Sequence, residues 1–184
     1  MKQLIFAFIL TFGTLHLSLG QNADLLEGAW QLNQERSQVT YSGVHFLHRW
    51  SGTNQSIVGL IKTQNDQVTT IAISAKVVDF DSGNENRDAH ALELLEVFDH
   101  PNVRFFADKT IRQGNDIVLE GTLQFRGVAL PLAPKLQLET SASTLRIYGD
   151  FNIQPSLFDM PLPSFMLKEI DDALTIAIDL YFDY

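Results

Sequence analysis

The side chains that could do chemistry in this sequence are few and scattered. Beyond residue 20 the histidines are His45, His48, His90 and His100. His45 and His48 are three residues apart, so in a strand they point to opposite faces and cannot share one metal ion. The chain has no cysteine, which excludes thiolate nucleophiles, disulfides, zinc–thiolate sites and iron–sulfur clusters. We therefore predict no metal site and no cofactor.

The segment 79–83, DFDSG, begins like the calcium-binding loop of an EF-hand. That loop needs glycine at its sixth position and a bidentate glutamate at its twelfth. Here Gly83 is fifth and His90 is twelfth, so the calcium ligands are incomplete. A turn that leads into a helix is the better interpretation.

A polar cluster, Arg87, Asp88 and His90, follows that turn. It has two interpretations: a helix cap with an ion pair, or a rim that holds the polar end of a ligand. A catalytic role would need a nucleophile or a metal beside Asp88 and His90, and the sequence supplies neither. It also contains no nucleophile elbow and no phosphate-binding glycine loop. We predict that the protein is not an enzyme.

The first twenty residues have the pattern of a secretory signal peptide. Lys2 precedes an apolar run that begins at Leu4, and the small residues Ser18 and Gly20 stand where signal peptidase needs them. The apolar run is too short to span a membrane. We expect cleavage after Gly20, with a signal peptide at 1–20 and one periplasmic or secreted domain at 21–184.

Composition excludes further classes of protein. The chain has 184 residues, with 22 acidic against 13 basic side chains and a formal net charge of −9. This charge disfavours binding to nucleic acid and to anionic lipid head groups. Beyond residue 20 no stretch is apolar enough to span a bilayer, so an integral membrane protein is not predicted.

Apolar and polar residues alternate with a period of two along most of the chain. The clearest runs are 71–77, 117–125 and 174–182. Each predicts a strand with one buried and one solvated face, which is typical of antiparallel sheet. About eight or nine such strands fit between Gln31 and Asp183. Because there are too few helices to cover an open sheet, we predict an all-β fold that closes into an antiparallel barrel of about eight strands.

Two segments break this alternation. Between 86 and 98, Ala91, Leu94, Leu95 and Phe98 have the spacing of one helix face, so we predict a short helix covering one end of the barrel. The segment 155–167, PSLFDMPLPSFML, contains three prolines yet is strongly apolar. It either packs back over the core or forms a ligand portal or a partner contact.

A series of motifs, in order along the chain, resembles the YceI family. They are Trp30-x-Leu32, Ser37-x-Val39-x-Tyr41, His45-x-x-His48-x-Trp50-Ser51-Gly52 with Gly59, Phe80-Asp81-Ser82-Gly83-Asn84, Arg87-Asp88-x-His90, His100-Pro101-x-Val103-x-Phe105, Gly121-x-Leu123-x-Phe125-x-Gly127-Val128 with Pro131, Pro155-Ser156-Leu157, and Asp171-Asp172-x-Leu174. The resemblance extends from about Trp30 to Asp183.

The resemblance implies a lipocalin-like barrel, typically exported by bacteria, whose apolar tunnel holds a polyisoprenoid or similar amphiphilic lipid. A barrel of about eight strands is either filled by its own side chains or just able to hold one slim ligand. Burial alone would bind such a lipid, at roughly 25 cal/mol per Å² of apolar surface. The residues expected to line the tunnel or its mouth are His48, Trp50, Ile73, Arg87, His90, Leu119, Leu123, Phe125, Ile147, Phe158 and Ile178.

Two other functions remain open at this point. The barrel could be solid, with the apolar loop 157–167 binding a membrane protein or another partner. Alternatively, Asp88 and His90 could process an isoprenoid or its phosphate. A homodimer is also left open.

Overall fold

The computed structural model describes residues 25–45, 48–162, 164–165 and 168–184. The expected signal peptide at 1–20 lies outside these residues. Within them the chain forms one α-helix, α1, at Glu85–Leu94, and 3-10 helices at Gln34–Arg36, Val77–Asp79 and Pro155–Phe158. The strands are β1 Gly28–Leu32, β2 Gln38–His45, β3 His48–Asn54, β4 Ile57–Gln64, β5 Gln67–Lys76, β6 Asn102–Gln113, β7 Asp116–Phe125, β8 Val128–Leu132, β9 Lys135–Thr140, β10 Thr144–Ile153, β11 Ser164–Phe165, β12 Lys168–Glu169 and β13 Leu174–Asp183.

Eight of these strands close into an antiparallel barrel, which confirms the predicted fold class. Their order is β1-β4-β5-β6-β7-β9-β10-β13. The barrel closes where β1 pairs with β13, at Gln31 opposite Asp183 and Leu32 opposite Phe182. Closure satisfies the backbone groups that the edges of an open sheet would expose.

The β2–β3 hairpin extends the wall beyond the end of β1. Strand β2 pairs with the first half of β13, from Leu174 to Asp179. Strand β3 then joins the segment before the helix through a bridge between Thr53 and Asp81. The hairpin therefore raises the wall at one end of the barrel.

The two ends of the barrel differ. The base is the end that carries the turns at 64–67, 113–116 and 140–144, and it is filled by side chains. Trp30, Leu145, Ile147 and Phe182 are fully buried there. The Trp30 indole N–H donates to Thr63 Oγ1 at 2.9 Å, so the one polar atom of that ring is satisfied. The mouth is the opposite end, where the β2–β3 turn, α1, the β7–β8 turn and the helix Pro155–Phe158 lie.

Helix α1 is shorter than the sequence predicts. Asn84 caps it, with its Oδ1 accepting from the Arg87 backbone N–H at 3.0 Å. The helix stops at Leu94 because Glu96 turns to a positive φ of 51°, which reverses the chain. The prediction that Phe98 shares the apolar helix face is therefore wrong, and that side chain is 99% exposed.

Candidate ligand-binding cavity

A cavity of about 910 Å³ occupies the mouth half of the barrel. Ligand sites in proteins typically measure about 300–1,000 Å³, so this one is at the large end of that range. Aliphatic and aromatic side chains make up most of its wall. The residues from strands and loops are Val39, Tyr41, Trp50, Ile71, Ile73, Ala75, Val77, Phe80, Val103, Arg104, Phe105, Leu119, Leu123, Phe125, Leu132, Pro134, Leu136, Phe151, Ile153, Met160, Ile170, Leu174, Ile176, Ile178 and Leu180.

The floor of the cavity is formed by Ile71, Leu119, Leu136 and Leu180, each at most 2% exposed. These side chains separate the cavity from the packed base. Above them, cross-strand rows line the wall, because residues facing each other in an antiparallel pair point to the same side of the sheet. One such row is Ile73, Phe105 and Leu123, in register across β5, β6 and β7.

Helix α1 and the residues just after it line the cavity from above. No residue of the helix is fully buried, and its contributions are Asn86, Arg87, Asp88, His90, Ala91, Leu92 and Leu94, followed by Leu95. The helix is therefore a cover on the mouth, as predicted.

Two aromatic side chains at the mouth depend on glycines of the β2–β3 hairpin. The Tyr41 ring lies over Gly52, where a Cβ would come within 2.5 Å of it. The Trp50 ring lies over Gly43, where a Cβ would come within 2.3 Å. Since Cβ atoms do not approach rings this closely, only glycine permits this arrangement. Tyr41 also contacts Phe80, with their ring centroids 5.7 Å apart.

Electrostatics at the mouth centre on Tyr41, Arg87 and Asp88. Burial raises the pKa of the Tyr41 hydroxyl above its usual value, and the nearby Asp88 carboxylate raises it further, while Arg87 partly opposes both. Tyr41 is therefore a neutral hydroxyl at the rim, able to donate or accept a hydrogen bond.

Ser82 hydrogen-bonds to two residues of the polar cluster that the sequence analysis identified, Arg87 and Asp88. The Arg87 guanidinium donates to Ser82 Oγ at 2.9 Å and to the Ser82 carbonyl at 2.8 Å. Asp88 Oδ2 accepts from the Ser82 backbone N–H at 3.1 Å. The residue that caps the helix is Asn84 and not Asp88. The interpretation of the cluster as a cap with an ion pair therefore does not hold, because Arg87 and Asp88 each hydrogen-bond to Ser82. Arg87, Asp88 and His90 all line the cavity as well.

Most of the residues expected at the tunnel or its mouth come together at the cavity. Eight of them line it: Trp50, Ile73, Arg87, His90, Leu119, Leu123, Phe125 and Ile178. The side chain of His48 lies outside the described part of the structure.

Ile147 and Phe158 lie elsewhere. Ile147 is in register with Leu138 and Leu180 and is fully buried in the packed base, beside the cavity floor. Phe158 is also buried, with its ring 5.5 Å from that of Phe125, and it packs behind the cavity wall. Neither side chain is among the described residues that line the cavity.

The apolar loop 155–167 is described only up to Leu162 and at 164–165. In that part, Pro155, Phe158 and Met160 are buried, and Leu157 is 56% exposed. Met160 reaches the cavity. The described part therefore packs mainly inward.

Sequence reasoning missed several lining residues. Tyr41, Phe80, Arg104, Phe151 and Met160 line the cavity but were not among the residues expected to do so. Strand parity could have identified Phe151, since it faces Ile176, a neighbour of Ile178 on the same face of β13. Met160 lies in the apolar loop 155–167, whose composition predicted core packing or a portal but did not identify this residue.

Among the described residues, no group of His, Asp and Glu is placed to hold a metal ion. No helix within the same residues is long and apolar enough to cross a membrane.

A closed antiparallel barrel that surrounds an apolar cavity places the chain among the barrel-type domains with an internal site. The YceI-like domain family matches residues 30–182, and the chain belongs to this family. Comparison with curated proteins gave no significant match.

Solved structures with the same fold include three of interest. BcnA from Burkholderia cenocepacia is 15% identical, with a TM-score of 0.74 over 82% of this chain and 98% of that one. A polyisoprenoid binding domain from Saccharophagus degradans, implicated in plant cell wall breakdown, is 12% identical, with a TM-score of 0.69 over 84% and 97%. The Campylobacter jejuni YCEI protein is 14% identical, with a TM-score of 0.60 over 92% and 97%. At these identities the likeness shows the fold.

Proposed function

We propose that this protein is an exported binding protein that holds a polyisoprenoid or similar amphiphilic lipid in the barrel cavity. The observation that carries the proposal is the cavity itself: about 910 Å³ of space walled by aliphatic and aromatic side chains, with its polar side chains at the mouth. Family membership and the described binding domain of S. degradans support the same class of ligand.

The cavity size sets the length of chain that fits. At about 910 Å³ the cavity is at the upper end of the size range of ligand sites, so it suits a long chain better than a small compact molecule. A prenyl chain of several isoprene units fits into a cavity of this volume. Its branched, partly rigid carbon skeleton gains dispersion contacts along the whole wall.

The polar rim fits a binding role better than a catalytic one. Arg87 and Asp88 both hydrogen-bond to Ser82, and the largely exposed His90 has its Nδ1 3.8 Å from Glu93 Oε2. We therefore assign this rim to the polar end of the lipid and propose no turnover. The alternative of a partner-binding loop finds less support, because the described part of that loop buries Phe158 and Met160.

Export is proposed from the first twenty residues. A lysine, an apolar run and small residues at Ser18 and Gly20 have the order that signal peptidase recognises. An exported lipid carrier would have to keep its cargo out of water, and a cavity walled by apolar side chains does so.

A titration of the refolded, delipidated protein with prenyl alcohols of increasing length tests the proposal. Trp50 lines the cavity and Trp30 is buried in the base, and the chain has only these two tryptophans. Saturable change in Trp50 fluorescence is the expected result, and Trp50→Phe should remove most of it. No saturable change with any prenyl alcohol, in fluorescence or calorimetry, would contradict the proposal.

A cavity variant sharpens this test. Replacing Ile73 and Leu123 with phenylalanine narrows the cavity at one cross-strand row, so long prenyl alcohols should bind at least about tenfold more weakly, or ~1.4 kcal/mol, while short ones keep their affinity. Thr122→Phe is the matched control, because Thr122 is exposed and lies beside Leu123 on the outer face of β7.

A further inference from the structure

One stretch of the barrel wall has no backbone pairing. Strand β8 pairs with the mouth half of β7, from Gly121 to Phe125, and with no other described strand. Strand β9 pairs with the base half of β7 and with β10 only as far as Tyr148. From Gly149 to Ile153, β10 therefore has a strand partner on its β13 side alone within the described residues. We call this gap between β8 and residues 149–153 the seam.

Gly149 and the β7–β8 turn stand on the two sides of the seam. Gly149 has a φ of +141° at the point where β9 leaves β10, and a Cβ there would lie 3.1 Å from Leu136 Cδ2. Across the gap, the turn at Arg126-Gly127 has two positive φ angles and joins β7 to β8 with two residues, which makes Phe125 and Val128 a hydrogen-bonded pair.

That pairing fixes which way the β8 backbone points. In an antiparallel ladder, hydrogen-bonded and non-hydrogen-bonded pairs alternate, so Val128, Leu130 and Leu132 direct their N–H groups to β7. Ala129 and Pro131 then stand on the free edge. Proline has no N–H, so the edge of β8 that faces the seam has lost one of its donors, a common way in which proteins prevent edge strands from pairing.

Side chains close the seam instead. Leu130 and Leu132 from β8 pack in one cluster with Phe151 and Ile153 from β10. Phe158, which follows β10 directly, inserts into the same cluster and contacts Phe125 on β7. Because Leu132, Phe151 and Ile153 also line the cavity, the seam leads straight into it.

Arg126 fastens the seam at the mouth. Its side chain is 11% exposed, and it donates to the carbonyl of Asp159, beyond β10. It also donates to the carbonyl of Leu94 at 3.3 Å and contacts Glu96 Oε1 at 2.6 Å, at the end of α1. One side chain thus ties the β7–β8 turn both to the far side of the seam and to the cover.

We propose that the seam is a lateral gate through which the lipid chain enters and leaves the cavity. The proposal rests on the proposed lipid-binding function. Opening the barrel between any two paired strands breaks a ladder of backbone hydrogen bonds, whereas opening the seam separates apolar side chains and releases Arg126. A prenyl chain entering sideways replaces those apolar contacts with its own, so the wall is not left facing water while the ligand passes.

A cross-link across the seam tests the gate. The chain has no cysteine, so Ala129→Cys with Asn152→Cys, both exposed on the outer face, can be joined by a flexible bismaleimide. The control pair is Lys62→Cys with Thr70→Cys, which face each other on the paired strands β4 and β5. The probe is cis-parinaric acid, with equilibrium fluorescence giving affinity and stopped-flow transfer to excess phosphatidylcholine vesicles giving the release rate.

The cross-linked seam should slow release by about tenfold or more, which corresponds to a barrier higher by ~1.4 kcal/mol, while the control cross-link leaves the rate unchanged. Phe158→Ala should speed release relative to Leu157→Ala, its exposed neighbour. Normal affinity with unchanged release in both seam variants would overturn the gate and leave the lipid-binding function standing. No binding of this probe or of prenyl alcohols by the unmodified protein would overturn both.

Discussion

Some residues at the mouth hold neighbouring chain segments in place through their side chains. Asp172 is one of them. Its carboxylate accepts from the Ser156 backbone N–H at 3.0 Å and from the Ser156 hydroxyl at 2.6 Å. These bonds lower the pKa of Asp172 and anchor the helix Pro155–Phe158, which carries the Phe158 side chain of the seam.

The lowered pKa predicts how stability depends on pH. The ionised Asp172 stabilises the fold at every pH above its unfolded pKa of about 3.9, and this contribution disappears as pH falls through the lower, folded pKa. Asp172→Asn should therefore be less stable than wild type at pH 7, and the two should converge in acid. Urea unfolding across this range measures the difference.

The matched control is Asp171→Asn, at the adjacent exposed position. A constant gap between Asp172→Asn and wild type from neutral to strongly acid pH would contradict the assignment, because it would mean that charge on Asp172 does not hold Ser156.

At the scale of elements, the β2–β3 hairpin is the part most closely fitted to the cavity. Its glycines have no role in a turn; they make room for rings, with Tyr41 over Gly52 and Trp50 over Gly43. The hairpin is attached to the barrel by β13 on one side and by the Thr53–Asp81 bridge on the other. Its shape at the mouth therefore depends on those ring contacts.

Gly52→Ala should destabilise the protein by about 1–3 kcal/mol, the usual cost of overpacking. It should also weaken lipid binding, because the added methyl group pushes the Tyr41 ring toward the cavity. Thermal unfolding measures the loss of stability, and a prenyl alcohol titration measures the loss of lipid affinity. Ser51→Ala, at the exposed neighbouring position, should change neither. Wild-type behaviour of Gly52→Ala in both measurements would show that the ring contact has no influence on the mouth.

Element prediction from the sequence succeeded where the pattern was local. Alternation placed Ile73, Leu123 and Ile178 on inward rows, and these residues line the cavity. It failed at Ile147, because the level at which side chains stop filling the barrel depends on long-range packing. It failed at Phe98 because a single residue, Glu96, adopts a left-handed conformation that apolar spacing does not reveal.

Across the whole molecule, the arrangement is a filled base, a hollow mouth half and a cover. The base is held by fully buried side chains such as Trp30 and Phe182, which supply stability without any disulfide. Because the base supplies this packing, the mouth half of the barrel can contain a cavity. The all-β class and closure were predictable from alternation and from the lack of covering helices. The seam was not, because alternation shows which residues form strands but not that β9 stops pairing with β10 at Tyr148 or that β8 pairs with β7 alone.

Occupancy of the cavity is the central claim, and native mass spectrometry of the protein purified from its own host measures it directly. We expect a folded species heavier than the chain by the mass of one lipid, which is lost on unfolding and is identified as a prenyl compound or similar amphiphile after extraction. A folded protein that carries no lipid when purified this way, and that takes up none when prenyl alcohols are added, would contradict it.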